Sequence, residues 1–229
     1  MPSALIEPNV VGVTETRSER LGIIGAGKLG LALARVAVAA GYDVAVAGSG
    51  AADRIALQVD VLAPGASTMT TRDVVAFADT VVLALPMHRF RELPPDLFDG
   101  KVVIDAMNYW PDTDGEDPTL TEAPSGTSSV VQRHFPGARV VKALNQLGYH
   151  EVDEYRRGPY DSDRIAIAAA GDDQQAVRVV MQLIDDLGFD SVNAGSLANG
   201  RLLEPDGSPY ATTYTAAELQ RRLDGVDAW

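Results

Sequence analysis

The stretch Leu21 to Ala47, LGIIGAGKLGLALARVAVAAGYDVAVA, decides the fold. Gly25, Gly27 and Gly30 are spaced G-x-G-x-x-G. Ahead of them, Leu21 to Ile24 is a short apolar run of the kind found in buried parallel strands; behind them, Lys28 to Ala40 is rich in Leu, Ala and Val and free of breakers, which predicts a helix. Gly41 stops that helix, and Tyr42 to Ala47 is a second apolar run. The whole is a strand, helix, strand unit of roughly thirty residues. Each glycine has its own task. Gly25 permits the tight turn out of the strand, Gly27 lets the backbone approach a pyrophosphate with no Cβ between them, and Gly30 lets the helix lie close to the sheet. A phosphate there meets free backbone N–H groups and the positive end of the helix dipole. The expected ligand is a dinucleotide.

The end of the second strand bears on which dinucleotide. A site for NAD usually places Asp or Glu there to accept hydrogen bonds from the ribose 2′-OH. Here the strand runs into Ala47-Gly48-Ser49-Gly50, with no carboxylate between Asp43 and Asp53. An uncharged, hydroxyl-bearing turn with Arg54 just downstream suits a 2′-phosphate, the serine and backbone donating and the guanidinium supplying charge. NADP is therefore the expected cofactor. The other reading of Arg54 is that it begins a surface helix.

Composition fits a soluble cytoplasmic enzyme. At 229 residues the chain can bury a large core and is close to the size at which single cores stop growing. It is expected to comprise a flexible N-terminal arm over residues 1–20 and one Rossmann-type domain over 21–229, including a C-terminal extension. The first twenty residues have neither the basic start nor the long apolar core of a signal peptide or membrane anchor. The chain has no cysteine, hence no disulfide or thiolate metal site. Acidic residues number 32 against 19 basic, a net charge of −13, which argues against nucleic acid and anionic membranes as partners. A polyanionic cofactor must then be held by local features, such as helix N-termini and the cations Lys28, Arg54 and Arg89, with the long-range repulsion largely screened by salt.

Apolar runs and helical segments continue to alternate. Ala51 to Leu62 reads as a helix, Ser67 to Thr70 as a short strand, Thr71 to Ala78 as a helix, and Thr80 to Leu85 and Lys101 to Ala106 as strands. This is the pattern of an α/β, doubly wound, mostly parallel sheet. Ligands of such sheets bind outside the carboxyl ends of strands, which directs attention to Leu85-Pro86-Met87-His88 and Ala106-Met107-Asn108-Tyr109. Residues 107 to 128 are acidic, rich in Pro and Gly, and read as one long irregular loop, a lid or a contact within a homodimer. The pattern resumes at Ser129-Val130-Val131-Gln132, which reads as a capping box. Arg139 to Leu144, Arg164 to Ala170 and Phe189 to Ala194 are further strands, with an amphipathic helix over Asp172 to Leu187.

Five segments, GIIGAGKLG, VVLALP, VVIDAMN, GARVVKALN and AGSLANGRLLEP, resemble the family of NADP-dependent oxidoreductases typified by the coenzyme F420 (deazaflavin) reductases. They are similar also to the nicotinamide domains of membrane metalloreductases. The resemblance runs from Leu21 to Pro205. It implies a Rossmann-type fold closed by a short C-terminal extension. It implies that Gly25, Ala26, Gly27, Lys28, Leu29 and Gly30 hold the pyrophosphate, that Ser49 and Gly50 hold the 2′-phosphate, and that Leu85, Pro86, Ala106 and Asn108 stand on the nicotinamide side. Asn145 and Arg201 would lie at the acceptor, a flavin or coenzyme F420. The chain departs from the family at Gly50, where deazaflavin reductases commonly carry Arg, and at Asn145, where they carry His.

Hydride transfer between two stacked rings is mostly a matter of positioning, at about 3 to 3.5 Å. Arg201 or backbone amides could stabilise charge on a reduced ring, and Asn145 could orient a carboxamide or ring carbonyl. Arg201 and Glu204, three apart, could equally form an intrahelical ion pair. Lys142, in an apolar strand pattern, reads as snorkelling at a strand end rather than as a Schiff-base nucleophile. His88 could touch the cofactor or lie on the surface, His134 reads as structural, and nothing fixes the direction of His150. Three scattered histidines make no metal site. Two further classes stay open: an NADP-dependent reductase of another small molecule, which would normally need a proton donor and a substrate domain, and a non-catalytic NADP-binding protein.

Overall fold

The computed structural model describes residues 19–225, so all but Glu19 and Arg20 of the expected N-terminal arm lies outside the described residues. Within them, β1 (Arg20–Ile24), α1 (Lys28–Ala39), β2 (Asp43–Ala47), α2 (Asp53–Leu62), β3 (Ser67–Thr68), α3 (Thr71–Phe77) and β4 (Thr80–Leu83) follow in strict alternation. A 3-10 helix over Met87–Glu92 leads to β5 (Val102–Asp105), then come α4 (Pro111–Asp114), α5 (Pro118–Thr121), α6 (Thr127–His134) and β6 (Arg139–Lys142). The chain ends with α7 (Glu151–Glu154), β7 (Ala166–Gly171), α8 (Gln174–Asp186), β8 (Asp190–Gly195), a 3-10 helix over Leu197–Leu203, and α9 (Ala216–Leu223).

The strands form one sheet in the order β3-β2-β1-β4-β5-β6-β7-β8. Every pair is parallel except β6 with β7. Side-chain alternation along the strands builds a layer on each face. Leu21 and Ile23 of β1, Val44 and Val46 of β2 and Val102 and Ile104 of β5 meet α1 and α8, while Ile24, Ala45, Ala47 and Val103 meet α3, α6 and the Phe90–Phe98–Phe135 cluster. Both faces are covered, which is why these strands read as continuous apolar runs rather than as alternating ones. Beyond β6, Ala166, Ala168, Val192, Leu203 and Leu219 make a smaller third cluster under α9. The antiparallel neighbour β7 is tied in by a buried side chain: Gln146 Nε2 donates to Ala168 O at 2.9 Å and its Oε1 accepts from Ala168 N at 3.1 Å.

The sheet winds outward from β1 to β3 and then returns to place β4 on the other side of β1. That reversal opens a crevice at the carboxyl ends of β1 and β4, where doubly wound sheets bind ligands. The fold is Rossmann-type.

Two expectations are corrected in the segment after β5. Residues 107–128 are not one irregular loop: α4 and α5 each begin on proline at their first turn, and the Asp117 side chain caps α5 by accepting from Thr119 N. Nor do Ser129 to Gln132 start α6 with a capping box. The helix begins at Thr127 behind Gly126, and Gln132 instead spans Phe135 O, Ala138 O and Val140 N. The orphan N–H of Thr127 goes to a carboxylate distant in sequence, Glu204, whose Oε1 accepts from Thr127 N at 2.7 Å and Thr127 Oγ1 at 2.8 Å. Glu204 therefore forms no ion pair with Arg201. Glu204→Ala is expected to cost about 1–2 kcal/mol, the usual worth of an N-cap, read as a lowered urea midpoint with the fold retained.

Candidate active site

The turn after β1 contains three glycines with different steric surroundings. Gly25 has φ +125°, and a Cβ there would drive into the Ala84 carbonyl. At Gly30 a Cβ would strike the Gly25 carbonyl. Those two glycines are demanded by the protein itself. Gly27 is different: it lies at φ −82°, open to any residue, and a Cβ there would meet nothing within 4 Å. It projects into a cleft of about 490 Å³. Gly27 is also the N-cap of α1, with no side-chain cap bond and no acidic residue in the first turn, so the N–H groups of that turn remain for an anion.

Gly25, Ala26 and Gly27 form one wall of this cleft, Gly48, Ser49 and Gly50 another, and Leu85 and Pro86 a third, with Thr71, Arg89 and Glu92 also lining it. A Cβ on Gly50 would come within 3.4 Å of Arg54 Cδ and Nη1. The Arg54 side chain thus lies over Gly50, in the space that a larger residue at that position would claim. Arg54 stands in the first turn of α2, beside the cleft rather than among the residues that line it. Arg89 is engaged with Glu92, Nη2 to Oε2 at 2.6 Å, a hydrogen bond that holds the exposed Glu92 carboxyl below the usual carboxylate range. Lys28 and Leu29 turn away from the cleft. Lys28 Nζ sits 4.9 Å from the centre of the Tyr149 ring and 3.4 Å from its hydroxyl, and Leu29 packs against the core.

After β5, Ala106 is buried and Asn108 is locked to Asn145, both outside the cleft lining. Asn108 Nδ2 donates to Asn145 O at 2.9 Å, and Asn145 Nδ2 donates both to Asn108 Oδ1 at 2.9 Å and to Leu203 O at 2.7 Å. Both Asn145 amide hydrogens are thereby used, and turning the amide over would set oxygen against two acceptors. Its Oδ1 is left buried without a hydrogen-bond partner, an acceptor that ordinarily costs free energy to leave unpaired. The preceding Leu144 has φ +63°, a left-handed conformation of the kind held only where the surroundings enforce it.

Lys142 is not a snorkelling residue. The β5–β6 register pairs it with Asp105, both are fully buried, and Nζ lies 3.5 Å from Asp105 Oδ2 and 2.5 Å from Met107 O. Asp105 also accepts from Ser128 Oγ at 2.6 Å and Met107 N at 3.0 Å. The network holds the turn that carries Ala106 and Asn108, and each buried charge is compensated by its partner and by the hydrogen bonds around it. Its sequence signal was present, a single opposite charge near the end of each of two apolar strands, but only the register brings them together.

Arg201 does not share the cleft of Leu85 and Pro86. It lines a second hollow of about 720 Å³ with Trp110 and Pro124, and its Nη1 is 3.4 Å from Pro124 O. His88 stands outside the cleft lining, bonded to Asp114. His134 packs between Phe90 and Phe135, with Nε2 3.0 Å from Leu93 O. The His150 ring meets Tyr149 edge-on. Among the described residues, no group of three or more His, Asp or Glu could hold a metal ion, and no helix is long and apolar enough to cross a membrane.

Comparison with known proteins bears on the family and the fold. Residues 20–109 match the family model described as NADP oxidoreductase, coenzyme F420-dependent. The chain is 39% identical over 70 residues to the protein YjhV of Escherichia coli K12, covering 31% of this chain and 51% of that one. It is 27% identical over 191 residues to metalloreductase STEAP3 of Rattus norvegicus, 81% of this chain and 36% of that one. The chain thus spans about half and about a third of the length of these relatives. Among solved structures, one described as an F420-dependent NADP reductase from Arthrobacter sp. FB24 superposes with a TM-score of 0.66 at 24% identity, over 79% of this chain and 86% of that one, which bears on the fold. Over residues 20–109 the chain therefore matches the F420-dependent NADP oxidoreductase family, on a Rossmann-type fold shared with NADP-dependent reductases.

Proposed function

We propose that this protein binds NADP(H) across the carboxyl ends of β1, β2 and β4 and passes hydride between the nicotinamide and a flavin-like acceptor, coenzyme F420 or a flavin. The observation that carries the reading is Gly27, the fingerprint glycine whose missing Cβ serves no neighbour within the protein and leaves room in the cleft. The α1 N-terminus would hold the pyrophosphate, as such termini do. Ser49 and the Arg54 guanidinium over Gly50 would hold the 2′-phosphate. Leu85, Pro86 and Ala106 would border the nicotinamide, and Asn145, buried behind Asn108 and Leu203 O, would hold the turn that carries Asn108. NADPH bound there supplies the hydride. The protein's part is to align the two rings, which by itself supplies a large share of the acceleration in such transfers.

Titration of NADPH and NADH by intrinsic fluorescence tests the first half. NADPH is expected to bind more tightly, and Arg54→Ala to weaken NADPH about 10- to 100-fold, the worth of a charge-assisted hydrogen bond of roughly 1.5–3 kcal/mol, with NADH spared. Equal loss for both cofactors would make Arg54 structural only. NADPH oxidation with coenzyme F420 or FMN tests the second half. Arg201→Ala is expected to raise the acceptor KM or slow turnover at unchanged NADPH affinity; an unaltered rate would remove Arg201 from the acceptor site.

A further inference from the structure

Resting on the NADP(H) reading above, we propose that Arg89 is a phosphate ligand of the dinucleotide held in reserve by Glu92, and that cofactor binding exchanges the Glu92 carboxylate for a cofactor phosphate on the same guanidinium. Glu92 is then the residue that limits the affinity of the cleft.

The local sequence delivers both side chains to the cleft. Met87 to Glu92 form a 3-10 helix after β4, in which side chains three apart eclipse one another. Met87 and Phe90 share one line and are fully buried, which fixes the helix to the core. Arg89 and Glu92 share the next line, and both line the cleft together with Gly25, Gly27, Ser49 and Thr71. Arg89 Nε donates to Glu92 Oε1 at 3.2 Å and Oε2 at 3.1 Å, and Nη2 donates to Oε2 at 2.6 Å. The carboxylate thus covers one edge of the guanidinium fork, the kind of edge on which phosphates are held by two parallel bonds.

Charge decides what the pair is for. Among the described residues that line the cleft, Arg89 is the only cation and Glu92 the only carboxylate, so the lining carries no net charge although its ligand is a polyanion. Nearby cations are placed otherwise: Arg91 is bonded to Asp117, Lys28 lies against the Tyr149 ring, and Arg54 stands beside the cleft over Gly50. The Arg89 and Glu92 side chains are 36% and 56% exposed, and an ion pair so open to water contributes little to stability. Opening it therefore takes little from the fold. A phosphate offers the fork the same paired geometry with more charge, and the released carboxylate, already at the surface, is hydrated again. Exchange is favoured when the dinucleotide enters. In its absence Glu92 keeps the guanidinium neutralised and must be displaced, which weakens binding.

Dissociation constants for NADPH and NADH, measured by calorimetry at about 0.15 M salt, where distant charges are screened, test the exchange in the unaltered protein, Glu92→Gln, Arg89→Gln and the double variant. Glu92→Gln is expected to tighten NADPH binding about three- to fivefold, the scale of an exposed ion pair. Arg89→Gln should weaken it about tenfold, the lower end for a charge-assisted hydrogen bond. In the Arg89→Gln background, Glu92→Gln should change the affinity by less than about twofold, because the competitor has lost the group it competes for. Thermal midpoints of all four proteins should agree within about 2–3 °C. A loss in Arg89→Gln shared by NADH assigns Arg89 to the pyrophosphate, and one confined to NADPH assigns it to the 2′-phosphate; either bears the proposal out. Unchanged NADPH affinity in Arg89→Gln would overturn it. So would weaker binding in Glu92→Gln, which would make the carboxylate a support or a ligand, and so would equal tightening by Glu92→Gln with and without Arg89, which would reduce its effect to plain repulsion. In those cases the unaltered protein still binds NADPH and the cofactor reading stands. Failure of the unaltered protein to bind either dinucleotide overturns both.

Discussion

Gly27→Val is expected to abolish dinucleotide binding and leave the fold cooperative. The side chain would project from an unstrained backbone position into the open cleft, touching no protein atom at its Cβ. Valine at this N-cap costs the helix no more than about 1 kcal/mol. The methyls would stand where a pyrophosphate must approach the N–H groups of α1, and losing two charge-assisted hydrogen bonds of roughly 1.5–3 kcal/mol each weakens binding about 10²- to 10⁴-fold. Gly30→Val is the control with the opposite signature. Its Cβ would strike the Gly25 carbonyl, so the cost falls on folding, about 3 kcal/mol or more. Fluorescence titration of NADPH beside thermal melts separates the two. Retained NADPH binding in Gly27→Val would mean that this turn is not the phosphate site.

Lys142→Met is expected to destabilise the protein by about 3–5 kcal/mol, since it leaves the fully buried Asp105 carboxylate without its counter-charge. Ser128 Oγ and Met107 N would still donate to Asp105, which softens the loss without removing it. Met107 O would lose its donor, and the turn holding Ala106 and Asn108 would loosen. Adding Asp105→Asn removes the orphan charge and keeps an oxygen for Met107 N, so the double variant should recover much of the stability. Urea denaturation of the two single variants and the double one measures the coupling. Strict additivity, or a cost below about 1 kcal/mol for Lys142→Met, would show that the pair does not act as a unit.

What could be read from the chain alone was whatever neighbouring residues decide among themselves. Strand and helix periodicity along 21–106 placed every strand and α-helix from β1 to β5 within a few residues, though not the 3-10 helix over Met87–Glu92, because a parallel sheet covered on both faces demands the unbroken apolar runs that are present. At β4 the edge moved inward because Ala84, Leu85 and Pro86 form the cleft wall at the carboxyl end of the sheet, so the strand read to Leu85 stops at Leu83. The segment after β5 was misread as irregular because α4 and α5 are single turns begun by proline, too short to show a period.

By itself, then, the sequence determined the Rossmann-type fold, the three glycines and the absence of a carboxylate after β2, all consequences of local sterics and short-range charge. Tertiary structure decided which distant groups meet. The β5–β6 register buried Lys142 on Asp105, Glu204 capped α6 across 77 positions of chain, and Asn145 was clamped between Asn108 and Leu203. Asp114, hidden in an acidic loop, became the carboxylate behind His88. Each of these sets a polar group against a partner far off in sequence, and such pairing follows no periodicity: burial favours groups whose partners exist, and only the folded chain brings those partners within reach.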